Sequence, residues 1–253
     1  MKSARRFTVA FLLAAAFLPH TALAQEPPDK QKRQEAFRHY QAGITHMRSE
    51  DWDQAAREFK TAIRLDPLMT LAHYSLGQTH MATKSYPDAV KAFEACNEAY
   101  MKLASLEITD SALSDQRRHE EIRELREAIQ GFQSGAFKTN QVQNQVLKLE
   151  NRLAELERAR SRGRSAAEIP AEFSLALGSA HFRNGALPEA EQHYKEALKV
   201  NPKMGEAHNN VAVVYMMTGR LAEAQAEVKL AEKAGFKVNP KFKEDLEQRL
   251  KGR

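Results

Sequence analysis

The amino-acid sequence predicts an all-α protein: a solenoid of paired helices in two halves, a long helical hairpin between the halves, and a capping helix after the second half. Three observations predict this fold. A frame of 34 residues recurs four times along the 253-residue chain. Between the second and third copies, apolar residues follow a heptad spacing within highly charged segments. After the fourth copy, apolar residues recur at steps of four, which is typical of one face of a helix.

The N-terminal residues 1–24 have the three parts of a secretory signal peptide. Three basic residues come first, an apolar run spans residues 7–18, and the Ala-Leu-Ala sequence at 22–24 supplies small residues at the spacing of a cleavage site. The apolar run is too short to remain as a stable membrane anchor. We therefore expect export across the inner membrane and a periplasmic location. The route is the general secretory one or, given the arginine pair at 5–6, the twin-arginine one.

Composition limits the partners and cross-links that the chain can have. Lys and Arg number 38 and Asp and Glu 33, a net charge of 38 − 33 = +5; three cations lie in the expected signal peptide, which leaves 5 − 3 = +2. This small net charge gives no support for a nucleic-acid or membrane-surface partner.

Cys96 is the single cysteine, so no intramolecular disulfide can form. Residues 25–34, QEPPDKQKRQ, are polar with paired prolines, and we expect a flexible leader there.

The four copies of the 34-residue frame share small residues at positions 8, 20 and 27, and most carry an aromatic residue at position 24. The copies begin at Ala36, Thr70, Ala171 and Gly205. Position 8 carries Gly43, Gly77, Gly178 and Ala212; position 20 carries Ala55, Ala89, Ala190 and Ala224; position 24 carries Phe59, Phe93, Tyr194 and Val228; position 27 carries Ala62, Cys96, Ala197 and Ala231. This pattern resembles the tetratricopeptide repeat, a helix-turn-helix unit of 34 residues. The resemblance covers residues 36–103 and 171–238 and implies two pairs of repeats in an α-solenoid.

Helix packing explains the small residues of the frame. Two antiparallel helices approach closely only where their side chains are small, and this contact offsets the poor helix propensity of glycine, about 1 kcal/mol worse than alanine. We expect the aromatic residue at position 24 to fill the space between repeats. Because Cys96 stands where the other copies carry alanine, we expect a buried structural thiol and not a reactive one.

Residues 104–170 interrupt the repeat frame, because charged and polar residues occupy the positions that need small or aromatic ones. Two apolar seams with heptad spacing take its place: Ile122, Leu125, Ile129 and Phe132 in the first, and Val142, Val146, Leu149, Leu153 and Leu156 in the second. Gly131 and Gly135 lie between the seams and end the first helix. We interpret the insert as a charged helical hairpin over about 111–160 that projects from the solenoid. The alternative is that one seam pairs with another chain as a coiled coil.

The sequence contains no recognisable catalytic or cofactor motif. A phosphate-binding glycine loop, a nucleophile elbow, a paired-cysteine metal site and a zinc-protease His-Glu motif are all missing. Histidines do recur at two repeat positions: His39, His73 and His208 at position 4, and His46, His80 and His181 at position 11. No matched acid or thiol completes a metal site, so we interpret these histidines as packing residues. We expect no catalytic activity, no metal and no cofactor.

The resemblance also implies a binding groove. In tetratricopeptide repeat proteins the first helices of successive repeats line a concave groove, and positions 2, 5, 6, 9 and 12 face into it. Carried onto this sequence, the implied groove residues are Phe37, Tyr40, Gln41, Ile44, Met47, Leu71, Tyr74, Gln78, Met81, Leu175, Ser179, Phe182, Asn209, Asn210, Val213 and Met216. The first pair would offer an apolar, methionine-rich surface for an apolar segment of a partner. The alternative is that some of these side chains pack against the hairpin or neighbouring helices.

The C-terminal residues 239–252 form a helical pattern of their own. Phe242, Leu246 and Leu250 stand at steps of four, and Asn239 before Pro240 is a helix start. The last repeat of a solenoid exposes an apolar side that needs a polar-backed helix to cover it. We therefore interpret this segment as a capping helix and not as a partner-binding tail.

Two hypotheses for function follow from the sequence. The first is a non-catalytic scaffold of the cell envelope that binds a protein or peptide client in its concave groove, with no nucleic-acid partner and no stable membrane insertion after signal cleavage. The second is a structural envelope protein that self-associates as a homo-oligomer through the insert.

We predict that the exported protein begins at Gln25, because residues 22–24 provide the small residues that a signal peptidase reads. The intact mass of the protein recovered from its native host measures this directly. A mass that includes residues 1–24 would contradict the prediction and indicate a protein tethered to the membrane.

Overall fold

The computed structural model describes residues 30–109, 111–134, 146–147, 149–151, 153–154, 157 and 168–252, and all the regular secondary structure in these ranges is helical. The expected signal peptide lies outside the described residues, and so does the predicted hairpin turn from residue 135 onward. Among the described helices, none combines the length and apolar character needed to cross a bilayer.

Ten helices follow one another along the described part of the chain. They are α1 (Lys30–Arg48), α2 (Trp52–Leu65), α3 (Thr70–Ala82), α4 (Tyr86–Thr109), α5 (Ser111–Ser134), α6 (Ala171–Arg183), α7 (Leu187–Val200), α8 (Gly205–Met217), α9 (Leu221–Lys233) and α10 (Pro240–Lys251). The helix pairs α1–α2, α3–α4, α6–α7 and α8–α9 correspond to the four copies of the frame, which we number as repeats 1 to 4. The predicted all-α solenoid is confirmed.

The aromatic residue at position 24 packs against the glycine at position 8 of the same repeat. A Cβ atom placed on Gly43 would stand 2.5 Å from the ring of Phe59, and one placed on Gly178 would stand 2.7 Å from the ring of Tyr194. Gly77 has the same relation to its ring, at 2.6 Å. Each ring also belongs to a buried cluster that holds residues of the next repeat, as expected for a ring that packs between repeats. The ring occupies the space that the missing side chain leaves inside the repeat.

The turn between the two helices of each repeat has one geometry. The residue at position 15 has a positive φ in every copy: Glu50 at 58°, Lys84 at 60°, Gly185 at 82° and Gly219 at 76°. The amide of the next residue then donates to the carbonyl oxygen of position 11, at 2.8 to 2.9 Å in all four repeats. This bond closes the C-terminus of each first helix. Glycine provides the left-handed conformation at no steric cost in repeats 3 and 4.

The repeats stack without a break across the insert. Tyr74 of α3 contacts Phe93 and Phe173, with ring centroids 5.5 and 5.4 Å apart, and Phe173 belongs to α6. Tyr100 of α4 adds an edge contact to Phe173 at 5.9 Å. Repeat 2 therefore packs directly on repeat 3, although 67 residues separate their frames in the sequence. Cys96 lies in this junction, fully buried, and its Sγ donates to the carbonyl oxygen of Thr70 at 3.4 Å. The structural role predicted for the thiol is confirmed.

The first helix begins earlier than expected. Residues 25–34 were predicted to be a flexible leader, but α1 starts at Lys30, and that prediction is wrong over residues 30–34. The reason is a tertiary contact, because the side chain of Arg33 is buried and its Nε donates to Glu120 in α5 at 2.8 Å. Residues 25–29 lie outside the described part of the chain.

The insert is described in part. Its first predicted arm is α5, which continues through Gly131 to Ser134, so the prediction that Gly131 ends this helix is wrong. The described residues of the second arm, between 146 and 157, are helical. The guanidinium of Arg126 donates to Glu157 at 2.8 Å, which joins the two segments. The hairpin as a whole stays a prediction, since its turn lies outside the described residues.

The last helix covers the end of the solenoid, as predicted. The side chain of Asn239 accepts a hydrogen bond from the amide of Lys241 at 2.9 Å and caps α10. Leu246 is 2% exposed and belongs to the buried cluster of repeats 3 and 4, and Phe242 and Leu250 pack against that cluster.

We predict that Gly178→Ala destabilises the protein by roughly 1 to 2 kcal/mol, because the new methyl group must displace the ring of Tyr194, and this outweighs the gain in helix propensity. Repeat 4 shows the compensating pair, Ala212 with Val228. Thermal unfolding of Gly178→Ala, Tyr194→Val and the double variant tests this. The double variant should cost at least about 1 kcal/mol less than the sum of the two single variants. Additive costs would show that the ring is not the reason for the glycine.

Candidate functional site

The groove residues implied for repeats 1 and 2 are mostly buried. Six of the seven apolar ones are between 1% and 8% exposed: Phe37, Tyr40, Ile44, Met47, Leu71 and Tyr74. We call these six residues the repeat 1–2 face. Tyr40 shows why they are covered, because its ring lies between Phe37 at 6.0 Å and Phe59 at 5.9 Å. Gln41 is exposed, and Gln78 and Met81 are half-buried.

Helix α5 packs over this side of the solenoid. Leu125 is fully buried, in the same hydrophobic cluster as most of the repeat 1–2 face. Glu120 accepts from Arg33 of α1 at 2.8 Å, and Gln41 donates to Glu127 at 3.5 Å. The alternative in which groove residues pack against the insert therefore describes repeats 1 and 2.

Val146, Leu149 and Leu153 of the second seam pack against the same cluster, so this cluster joins the two seams to the repeat 1–2 face. The prediction that the insert projects from the solenoid is therefore wrong for these described residues, because the seams bury their apolar side chains against repeats 1 and 2.

The groove residues implied for repeats 3 and 4 divide into two layers. Leu175 and Met216 are buried in the core, whereas five residues are half-buried and reach the surface: Ser179, Phe182, Asn209, Asn210 and Val213. We call these five residues the repeat 3–4 face. It combines two side-chain amides, a hydroxyl, an aromatic ring and a branched aliphatic group on α6 and α8.

The two side-chain amides of the repeat 3–4 face have hydrogen-bond donors and acceptors that their contacts within the face do not use. Asn209 donates one amide hydrogen to the side-chain oxygen of Asn210 at 3.3 Å. The hydroxyl of Ser179 donates to the carbonyl oxygen of Leu175 at 2.8 Å. A primary amide has two donor hydrogens and an acceptor oxygen with two lone pairs, so these contacts use only part of what the two asparagines offer. The face can therefore bind both apolar side chains and backbone polar groups.

The recurrent histidines have structural contacts. His39 and His208, at position 4, each contact a glutamate of the second helix of their repeat, Glu58 and Glu227, at 2.6 Å. The Nε2 atom of His208 also lies 3.1 Å from the carbonyl oxygen of Pro202, at the end of the preceding repeat. This histidine joins repeat 3 to repeat 4.

The histidines at position 11 are half-buried, and His181 makes a packing contact. The ring of His181 stacks on that of His193 at 5.2 Å. Burial, with the nearby His193, lowers the pKa of His181, and burial lowers the pKa of His80. Within the described residues, no three side chains of His, Cys, Asp or Glu lie together in an arrangement that would hold a metal ion.

A charged cluster fixes the relative position of the two repeats that carry the repeat 3–4 face. The carboxylate of Glu191 in α7 accepts a hydrogen bond from Lys195 at 2.6 Å. It also accepts hydrogen bonds from both terminal nitrogens of Arg220, one of them at 3.0 Å. The guanidinium of Arg220 also lies 4.0 Å from the centre of the Tyr215 ring. The bonds from Arg220 and then from Lys195 hold the pKa of Glu191 at about 2, compared with the usual 4.5.

A sequence model of the family described as Tetratricopeptide repeat matches residues 40–107, 153–198 and 175–235. The photosystem I assembly protein Ycf3 of Cyanophora paradoxa is 42% identical over 60 residues, which is 24% of this chain and 34% of that protein. Ycf3 of Synechococcus elongatus is 41% identical over 51 residues, 20% of this chain and 28% of that protein. The chain thus matches about a third or less of the length of these curated relatives.

Two solved structures are similar at low identity. The first is PilW, titled a type IV pilus biogenesis factor, at 15% identity, with 86% of each chain covered and a TM-score of 0.42. The second is PilF of Pseudomonas aeruginosa at 14% identity, with 83% of this chain and 81% of that chain covered and a TM-score of 0.34.

We predict that Glu191→Gln lowers the stability at neutral pH by on the order of 1 to 3 kcal/mol. The pKa of Glu191 is depressed in the folded protein. The ionised carboxylate therefore stabilises the folded state above about pH 4.5, and this stabilisation is lost as the pH falls toward about 2. Melting temperatures between pH 7 and pH 2.5 should therefore fall more steeply for the wild type than for the variant. Glu189→Gln, at an exposed position of the same helix, is the control and should follow the wild type. Parallel curves for all three proteins would contradict the prediction.

Proposed function

This chain belongs to the tetratricopeptide repeat family, and on that basis we propose that it is a non-catalytic scaffold that binds a segment of a client protein on the repeat 3–4 face. The family supports a protein–protein interaction role in general. The choice of face rests on one observation. Five of the seven implied groove residues of repeats 3 and 4 reach the surface, whereas six of the nine implied for repeats 1 and 2 are buried, most of them in the cluster that contains Leu125 of α5.

The chemistry of the face favours an extended segment with apolar side chains. Phe182 and Val213 offer apolar contact area, and the amides of Asn209 and Asn210 offer donors and acceptors for the backbone of a bound segment. The face lies on two first helices, α6 and α8, so it suits a short segment better than the surface of a folded domain, which needs about 800 Å² on each partner.

We place this activity in the cell envelope, on the strength of the signal-peptide pattern in residues 1–24. The competing hypothesis is self-association through the seams of the insert. The seam residues Leu125 and Ile129 are buried within this chain, which favours the scaffold hypothesis over pairing with a second chain.

We predict that a photocrosslinking residue at Phe182 or at Val213 captures the same client in living cells of the native host. The control position is Lys229, which is exposed on α9, a second helix of its repeat. The crosslinked band should form from both face positions and be absent from the control. Asn210→Ala should reduce its yield about tenfold, the effect of losing one well-placed hydrogen bond of about 1.4 kcal/mol.

Three results would contradict the proposed face. They are equal capture from Lys229, different bands from the two face positions, and a yield that Asn210→Ala leaves unchanged. A band with twice the mass of the chain would instead support self-association.

A further inference from the structure

The C-terminal part of the solenoid carries a local excess of positive charge. Residues 233–243, KAGFKVNPKFK, contain four lysines and no acid. They span the last residue of α9, the loop after it and the first turn of α10. The chain beyond residue 24 has a net charge of 5 − 3 = +2, so this segment of +4 leaves 2 − 4 = −2 for all the rest. The small net charge of the whole chain therefore conceals a basic segment.

The fold brings lysines from both helices together. Lys243 donates to Glu232 at 2.6 Å, which joins the first turn of α10 to the last turn of α9. Lys233 and Lys241 come from these two adjoining turns, and Lys237 lies in the loop between them. We call these three exposed residues the lysine patch. Within the described part of the chain none of the three has a carboxylate partner, so their ammonium groups can contact an anion outside the molecule.

The stability of α10 does not explain the charge of Lys241. The N-terminus of a helix carries a partial positive charge and favours acidic residues in the first turn. The first turn of α10 has no acid and holds two lysines. Asn239 already caps this end, since its side chain accepts from the amide of Lys241. The ammonium group thus opposes the helix dipole, which favours a role outside the folding of α10.

An exposed apolar residue lies beside the lysine patch. Leu230 is 42% exposed on α9, three residues before Lys233, and residues at this spacing are neighbours on a helix. A lipid bilayer matches both features, because its headgroups offer phosphates to the ammonium groups and its acyl region takes up an apolar side chain. A nucleic acid offers phosphates but no apolar layer for the leucine.

We propose that the lysine patch binds the anionic surface of a phospholipid membrane, with Leu230 entering the bilayer. The rest of the chain, with its net charge of −2, is repelled by such a surface, so the patch also orients the protein on the membrane. The inference does not rest on the client binding proposed for the repeat 3–4 face, which lies on α6 and α8 and includes no residue of α9 or α10.

Sedimentation with lipid vesicles tests the proposal on the protein purified after export. The vesicles contain phosphatidylcholine alone, or phosphatidylcholine with phosphatidylglycerol as about a third of the lipid. The protein should bind the anionic vesicles at low salt and be released at high salt, because salt screens the attraction. The triple variant Lys233→Gln, Lys237→Gln and Lys241→Gln should bind them at least about tenfold more weakly.

The matched control removes the same number of charges at exposed lysines of other helices and turns, as Lys60→Gln, Lys84→Gln and Lys203→Gln. This control should bind the anionic vesicles as the wild type does. Leu230→Gln should weaken vesicle binding about threefold, because the apolar contact with the bilayer is lost. The same variant should bind a fluorescent DNA oligonucleotide no differently from the wild type.

Thermal unfolding of the same proteins separates a binding role from a structural one, and the triple variant of the patch should melt close to the wild type. A patch variant that melts far below the control would overturn the proposal, since the lysines would then serve the fold. Equal vesicle binding by the patch variant and the control would also overturn it, as would equal binding to vesicles of phosphatidylcholine alone. Tighter binding to the oligonucleotide than to anionic vesicles, or vesicle binding that Leu230→Gln leaves unchanged, would contradict the choice of a membrane.

Discussion

In three of the four repeats, the ring at position 24 packs against the bare backbone of position 8, closer than a side chain at that position would allow. Gly178 and Tyr194 show the contact in repeat 3. It fixes the separation of the two helices of a repeat, and with it the angle at which the next repeat stacks. Repeat 4 replaces the pair with Ala212 and Val228, a larger residue on one helix and a smaller one on the other. A bare backbone at position 8 thus goes with an aromatic ring at position 24, and a methyl group at position 8 goes with a smaller side chain there.

The second and third copies share the glycine–ring contact and the turn geometry, and they stack although the insert separates them. Phe173 supplies the joining contacts, to Tyr74 and to Tyr100. In a solenoid each repeat contacts only the repeats next to it. A long insertion between two repeats is therefore tolerated when both of its ends lie at the same junction. The first helix of this insertion, α5, lies against repeats 1 and 2.

The two halves of the solenoid consequently present different surfaces. On repeats 1 and 2 the apolar groove residues are part of the core, with Leu125 of α5 in the same cluster. On repeats 3 and 4 the equivalent positions carry asparagine and serine beside Phe182 and Val213, and these side chains reach the surface. The cluster around Glu191 holds those two repeats together by hydrogen bonds to Arg220 and Lys195. One half of the chain is thus arranged around an internal helix and the other around an accessible polar and apolar face.

The sequence by itself determined the repeats, their boundaries and the capping helix, because these depend on spacing within about 34 residues: glycine and an aromatic residue at fixed positions, and Leu246 on one face of a helix. It also identified Leu125 as a buried seam residue. Only the tertiary structure decided what Leu125 is buried against, and that α1 begins at Lys30. The early start of α1 goes with the pair of Arg33 and Glu120, 87 residues apart, and Leu125 lies in a cluster with residues of α1, α2 and α3. Periodicity reports which side of a helix is buried, whereas the identity of the covering surface is set by contacts between distant segments, and these leave no local pattern.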